Sequence, residues 1–362
     1  MSANIAPADG SLEGVLVASS AIATVDGRAG IALVRGYLLP ELAEHCTYEA
    51  VAHLVLRGEL TRVGDPVRTF ADQVREGSVL SPTERATARA LAHGNTEADA
   101  LAAAMILTDD LTARSEPDES LRTARVLGRV ASVCAAVAGF DAPDPAWSYA
   151  RRAAAALGAK RVDPAALRAL EVLLCLEAEH GLSASTFACR VAASSGANAG
   201  PSLAAAVATL SGERHGGATA QARAMLEAAR DSGDPQGFVR QKCEARERLP
   251  GFGHRVYKVA DPRVVPLRAA MRAMGDAPLL DVVELVAQAA EPLLAPKGIY
   301  PNIDLYGAAL LTTLDVDPSR YVAAFTLGIA CGWLAHWSEV RASGRLVRPD
   351  SVYTGPAQRS VV

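Results

Sequence analysis

The chain reads as an all-α fold with one small β-hairpin near its N-terminus, and three observations lead there. Apolar residues recur at helical spacing through most of the 362 residues, residues of helix-cap type flank several of these runs, and period-two alternation is confined to the surroundings of Asp26-Gly27. Half of the residues are apolar but only 5% are aromatic, so the core is built from Ala, Val and Leu. A chain of this length can bury a large core and has room for two domains.

Taken in order, the Asp26-Gly27 turn between alternating apolar residues predicts the hairpin. Asp163-Pro164 predicts the cap and first turn of a helix with Leu167, Leu170, Leu174 and Ala178 on one face, which brings His180 to its C-terminal end. His215 stands just before a helix on which Ala218, Ala222, Met225 and Ala229 recur. Residues 231–235, Asp-Ser-Gly-Asp-Pro, are the strongest internal punctuation. Asp261 and Pro262 predict a further cap and first helical residue. Arg263 then falls in the first turn of a helix whose apolar face is Val264, Leu267, Met271 and Met274, with Pro266 removing one backbone donor near its start. Residues 321–337 carry no formal charge, which raises a membrane span as an alternative. The run is short for a bilayer, contains His336 and is followed by Glu339 and Arg341, so it reads as a fully buried helix of a soluble protein. Its Gly328-x-x-x-Gly332 spacing allows close helix packing.

Net charge is −4, and no basic stripe with interleaved aromatics argues for nucleic acid as a partner. The six cysteines (Cys46, Cys134, Cys175, Cys189, Cys243, Cys331) are scattered, without CxxC or ligand-like pairing with His. They read as buried reduced thiols of a cytoplasmic protein, with no metal site. The first twenty residues lack a basic stretch followed by an apolar run, so no secretory leader is expected.

The chemistry concentrates in three short segments. Residues 251–263, Gly-Phe-Gly-His-Arg-Val-Tyr-Lys-Val-Ala-Asp-Pro-Arg, place His254 and the cations Arg255, Lys258 and Arg263 within thirteen residues. The Gly-x-Gly turn lets backbone approach a ligand. A helix start at Arg263 would aim its guanidinium and unpaired N–H groups at one carboxylate or phosphate. Alone, such a run equally reads as a solvated loop. His215 precedes a helix N-terminus, and Asp304 sits among apolar and aromatic neighbours in Tyr-Pro-Asn-Ile-Asp-Leu-Tyr-Gly (300–307), a setting that favours burial and a raised pKa. Two histidines and a buried aspartate make an acid/base set.

His-Gly-Gly-Ala at 215–218, the 251–263 segment and Pro-Asn-Ile-Asp-Leu-Tyr at 301–306 resemble, in this order and at these intervals, the citrate synthase family. The resemblance extends to Leu12-Glu13-Gly14-Val15, Val25-Asp26-Gly27, Arg35-Gly36-Tyr37, Arg57-Gly58-Glu59-Leu60, residues 179–187, the Gly-Trp-Leu-Ala-His-Trp of 332–337 and Arg348-Pro349. It is weak over 61–165. The resemblance implies a citrate synthase-like, two-domain helical homodimer: a large dimerisation domain (1–216 and 320–362) and a small mobile domain (217–319) carrying catalytic residues. It implies condensation of an acyl-CoA (acetyl-CoA or propionyl-CoA) with a 2-oxo acid, oxaloacetate, giving citrate or 2-methylcitrate plus CoA. Asp304 would be the base, His215 the donor to the enolising thioester and His254 the donor to the keto oxygen. His180 and Arg263 would bind the oxo acid, with Arg255 in the same segment, and Arg348 would reach the partner subunit's site. Lys258 and Lys297 read as contacts to CoA phosphates or as solvated surface. No cofactor is implied, since CoA is a substrate carrier.

One departure stands out. The family usually has a carboxylate-binding arginine four residues before the first Trp of that Gly-Trp segment, and Ile329 occupies the position here. Breaking such a buried, bidentate pair typically costs about 3–5 kcal/mol. Arg214 offers a nearby charge. Three readings remain at this point: an active synthase with the loss compensated, a paralogue using a different 2-oxo acid, or a catalytically weak binding or assembly homologue.

Overall fold

Polar caps and glycine contacts explain most of the architecture of the computed structural model, which describes residues 12, 14–61, 64–109 and 114–361. Glu13 and the first eleven residues, part of the twenty on which the leader reading rests, lie outside the described residues.

The hairpin is present as β1 (Ala23–Asp26) and β2 (Ile31–Val34), antiparallel with Asp26 opposite Ile31. A third strand, β3 (Tyr37–Leu38), extends it in the order β1-β2-β3. Two residues are too few to show a period in the sequence. Arg35 at φ 50° and Gly36 at φ 87° turn the chain back, and the Arg35 guanidinium holds the turn through the Val55 and Ala21 carbonyls.

Helices α1 (Leu39–His45) and α2 (Tyr48–Arg57) follow. The weakly read stretch 61–165 is helical too: α3 (Asp65–Gly77), α4 (Pro82–Leu91), α5 (Glu97–Ala104), α6 (Glu119–Val137) and α7 (Tyr149–Ala156). Ser81 and Glu84 form a reciprocal capping box at α4, and Asp118 caps α6. As the sequence predicts, Asp163 caps α8 (Pro164–Glu177) by accepting from the Ala166 N–H at 3.0 Å. Next come α9 (Ala184–Ser194), α10 (Ala199–Leu210), α11 (Gly217–Asp231), α12 (Pro235–Glu244), α13 (Val264–Ala273), α14 (Pro278–Leu294), α15 (Ile303–Thr313) and α16 (Tyr321–Ser343).

The apolar α16 is the central helix, buried among α2, α6, α8, α9 and α10. Its two glycines do what their spacing suggests. A Cβ at Gly328 would lie 2.8 Å from Glu177 Cβ, and one at Gly332 would lie 2.5 Å from the Ala178 carbonyl oxygen, so α8 and α16 cross in near-backbone contact. His336 is a satisfied core histidine between Arg190 (2.7 Å) and Glu179 (3.2 Å). Among the described residues no helix is long and apolar enough to cross a membrane. Helices α11, α12, α14 and α15 pack largely on one another, while α13 packs most on α8 and then on α15 and α1. Cys46, Cys134, Cys175, Cys189 and Cys331 are buried, and Cys243 is partly exposed.

One expected helix start moves. Helix α13 begins at Val264, and Arg263 is its N-cap residue instead of a first-turn residue. The Asp261 carboxylate turns back to accept from the Arg263 backbone N–H (3.1 Å) and Nε (3.0 Å), so residues 261–263 form a separate tight turn before the helix.

Candidate active site

Two of the three chemical segments are held together by main chain. Phe252 and Pro301 form an isolated antiparallel bridge: Gly253 N–H donates to the Tyr300 carbonyl (2.8 Å) and Asn302 N–H to the Gly251 carbonyl (2.9 Å). Gly251, at φ 82°, sits so close to Leu305 that a Cβ would lie 2.8 Å from the leucine Cβ. Asn302 completes the join. Its Nδ2 donates to the Gly253 carbonyl (2.7 Å), and its Oδ1 caps α15 by accepting from the Asp304 N–H (3.0 Å). Asp304 therefore lies in the first turn of α15, beside the turn that ends in His254.

The third segment reaches the same place through α11. Thr219, one turn into the region that begins with His215, donates its hydroxyl hydrogen bond to Asp304 Oδ1 at 2.6 Å. Burial raises the Asp304 pKa above the ordinary carboxylate range, and the Thr219 bond only partly opposes it. His215 stands two residues before α11, in a tight turn where its N–H donates to the Gly212 carbonyl (2.9 Å). Its Nε2 lies 2.9 Å from Ser185 Oγ and accepts from the Ser185 backbone N–H at 3.4 Å. A backbone N–H can only donate, so the ring proton of neutral His215 is on Nδ1. Burial lowers its pKa and keeps it neutral.

His254 is fixed in the opposite tautomer. Its Nδ1 accepts from the backbone N–H groups of Val256 and Tyr257, both at 3.1 Å, leaving the proton on Nε2. Burial first, then the nearby Arg263 charge, lowers its pKa to about 4. His180 packs edge-on against it, ring centroids 5.3 Å apart, with its Nε2 2.9 Å from the Tyr257 hydroxyl. Burial and Arg263 likewise drive the His180 pKa well below its usual value.

Arg263 lies at this centre and is 4% exposed, but its fork is not open as the sequence suggested. Nε and Nη2 hold the Asp261 carboxylate at 3.0 and 2.9 Å, and Nη1 faces Glu177 at 3.3 Å. Burial pushes the Asp261 pKa up, but Arg263 outweighs it and the net shift is downward. Glu177 keeps a pKa raised to about 8, because burial dominates and the negative Asp304 and Asp261 oppose the attraction of Arg263. Glu177 was not among the residues singled out from the sequence. The signal was there: a carboxylate following the unbroken apolar run 172–176. Ser185, Thr219, Tyr257 and Asp261 also gain partners that sequence alone does not assign.

The remaining candidates lie further out. Arg255, Lys258 and Lys297 are exposed, and the two lysine-bearing loops adjoin: a Cβ at Gly298 would lie 3.3 Å from the Lys258 carbonyl oxygen. Arg214 is exposed beside His215. Arg348 is exposed on the segment after α16. Ile329 is buried on α16, next to the Gly328 that meets Glu177. The β1–β2 turn also touches the site. Lys258 N–H donates to the Gly27 carbonyl at 2.8 Å, and a Cβ at Gly27 would lie 2.0 Å from the Val256 carbonyl oxygen.

The sequence profile described as "Citrate synthase, C-terminal domain" matches residues 11–350. The chain belongs to the citrate synthase family. Among its relatives, a citrate synthase of Haloferax volcanii is 33% identical, with 95% of each chain covered. The fold agrees. The crystal structure of citrate synthase from Pyrobaculum aerophilum superposes with a TM-score of 0.84 at 28% identity, covering 97% of this chain and 93% of that one. Citrate synthase from Thermoplasma acidophilum, solved as a ternary complex with carboxymethyl coenzyme A and oxaloacetate, also gives a TM-score of 0.84, at 27% identity and with 96% of each chain covered. The all-α class and the family resemblance read from the sequence both hold.

Proposed function

We propose that this member of the citrate synthase family condenses acetyl-CoA with oxaloacetate and hydrolyses the resulting thioester to citrate and free CoA. What supports the reading is that the segments carrying two oppositely tautomerised neutral histidines are both tied to the one carrying buried Asp304 of raised pKa, by the Thr219–Asp304 hydrogen bond and by the main-chain bonds between 251–253 and 300–302. Ionised Asp304 removes a proton from the α-carbon of the thioester, a task for which a desolvated carboxylate is a stronger base than one in water. His215 Nδ1–H donates to the thioester oxygen as it gains enolate charge. The enol carbon then attacks the keto carbon, and His254 Nε2–H donates to the keto oxygen as it becomes an alkoxide. Each neutral ring keeps one N–H for its step because its other nitrogen accepts from backbone N–H groups.

Arg263 Nη1 and His180 support the acceptor's carboxylate end in this reading, and the adjoining Lys258 and Lys297 loops support the CoA phosphates. Closure of a small domain (217–319) on a large one (1–216 and 320–362) is part of the same proposal. So are a homodimer, in which exposed Arg348 completes the partner's site, and a cytoplasmic setting, which the buried cysteines support. Propionyl-CoA competes as donor because one methylene changes binding by only about 1–3 kcal/mol.

The test is release of free thiol from acetyl-CoA or propionyl-CoA with oxaloacetate, with the product identified by mass spectrometry. Citrate from acetyl-CoA is expected. Preferential 2-methylcitrate would replace the donor, and no thiol release with either would overturn the reading.

A further inference from the structure

The buried acids around Arg263 outnumber the cations that reach them. Asp261 takes two guanidinium donors at 3.0 and 2.9 Å, and Glu177 is left with the longer 3.3 Å contact to Nη1. Asp304 adds a third carboxylate whose charge acts on Glu177. On its other side Glu177 packs under α16 at Gly328, one residue before Ile329, and among the described residues Arg263 is the one cation paired with it. An acceptor carboxylate arriving at Nη1 meets Glu177 directly. If Glu177 were ionised, two carboxylates would compete for one N–H in a low-dielectric pocket.

We propose that Glu177 is an acceptor-specificity residue: as a neutral carboxylic acid it donates a hydrogen bond to the acceptor carboxylate held on Arg263 Nη1, at the corner where Ile329 supplies no charge. The inference rests on the synthase reading above and names how that site accepts its oxo acid. A protonated carboxyl supplies the donor that a second guanidinium would otherwise give, without adding positive charge. Of the groups facing Glu177, Asp304 also has a pKa raised by burial and is read in kcat, whereas the Glu177 proton is read in oxaloacetate affinity. Arg263 remains charged, Asp261 is held ionised by Arg263, and His254 and His180 are already neutral. The Tyr257 pKa is raised by burial. Glu177 itself titrates near 8.

The experiment is the KM for oxaloacetate, with calorimetric binding of oxaloacetate alongside, for the full-length wild type and Glu177→Gln between about pH 7 and pH 9. In the wild type, affinity should fall about tenfold across that range, as a single proton with a pKa near 8 requires, while kcat changes little. Glu177→Gln keeps an N–H donor at the same place and should bind within a few-fold of wild type near pH 7 without the alkaline loss. A wild-type KM that is flat over the range, or the same alkaline loss in Glu177→Gln, overturns the assignment while leaving the synthase reading intact. Absence of both oxaloacetate binding and turnover at every pH would overturn the synthase reading and this inference with it. The wild-type profile decides the matter even if the variant does not fold.

Discussion

The helix crossings and the catalytic turns use glycine in two different ways. At α3–α6 and α8–α16, glycines inside helices remove a Cβ so that two backbones can touch: a Cβ at Gly128 would lie 1.9 Å from the Val74 carbonyl oxygen, and one at Gly332 2.5 Å from that of Ala178. In the turns, Gly251 adopts a left-handed φ, and Gly27 lets one loop press its carbonyl against another. The crossings are held by close backbone packing. The turns carry the titratable groups and are held by particular hydrogen bonds from Asn302, Ser185, Thr219 and Asp261. Damage to a crossing should therefore appear in stability, and damage to a turn in turnover.

Arg263→Ala should give the largest effect because it joins both regions. It leaves the ionised Asp261 buried without its cation and removes the Nη1 contact to neutral Glu177, and loss of about 3–5 kcal/mol in denaturant unfolding is expected together with loss of oxaloacetate binding. Unchanged stability would mean that the acids are solvated or protonated at little cost. Gly27→Ala should leave the fold intact and displace the Val256 loop that orients His254. A kcat/KM reduced by about 100-fold with near-normal Tm is expected, and normal kinetics would remove the hairpin from the site's support. Gly128→Ala is the converse: destabilisation by about 1–3 kcal/mol in chemical unfolding, with turnover per folded molecule unchanged.

The smallest effect is in the pH profile. Asp304 acts only when ionised and its pKa is raised, so kcat should climb with pH along an acid limb lying above the ordinary carboxylate range. Burial lowers the pKa values of His215 and His254, that of His254 to about 4, so both rings are neutral at neutral pH. Replacing Thr219 by Val removes the hydroxyl that holds the Asp304 pKa down, and the limb should move further up. A limb that stays in place would show that Thr219 does not tune the base.

Much of this was legible in the sequence where chemistry and local structure coincide. Asp163-Pro164 caps α8, His215 leads into α11, and Asp304 opens α15 with a raised pKa, because each depends mainly on residues within one turn. What was not legible depends on pairs distant in sequence. Nothing near Arg263 shows that Glu177, 86 positions away, will meet its Nη1, or that Asp261 will claim the rest of the fork and delay the helix to Val264. Likewise the tautomer of His215 is set by Ser185, 30 positions away, while that of His254 is set locally by the Val256 and Tyr257 N–H groups through a turn that no spacing rule reveals. The stretch 61–165 was weakly read because its helices carry ordinary caps and apolar faces but no residues with recognisable chemistry.

The most direct test compares wild type with Asp304→Asn in thiol release from acetyl-CoA and oxaloacetate, at matched folding judged by circular dichroism. A loss of kcat of about 1,000-fold or more with the fold intact is expected, since the amide keeps the shape and the Thr219 contact but cannot accept the α-proton. Turnover within a few-fold of wild type would contradict the placement of the catalytic base at the start of α15, and with it the account of how these turns make the chemistry.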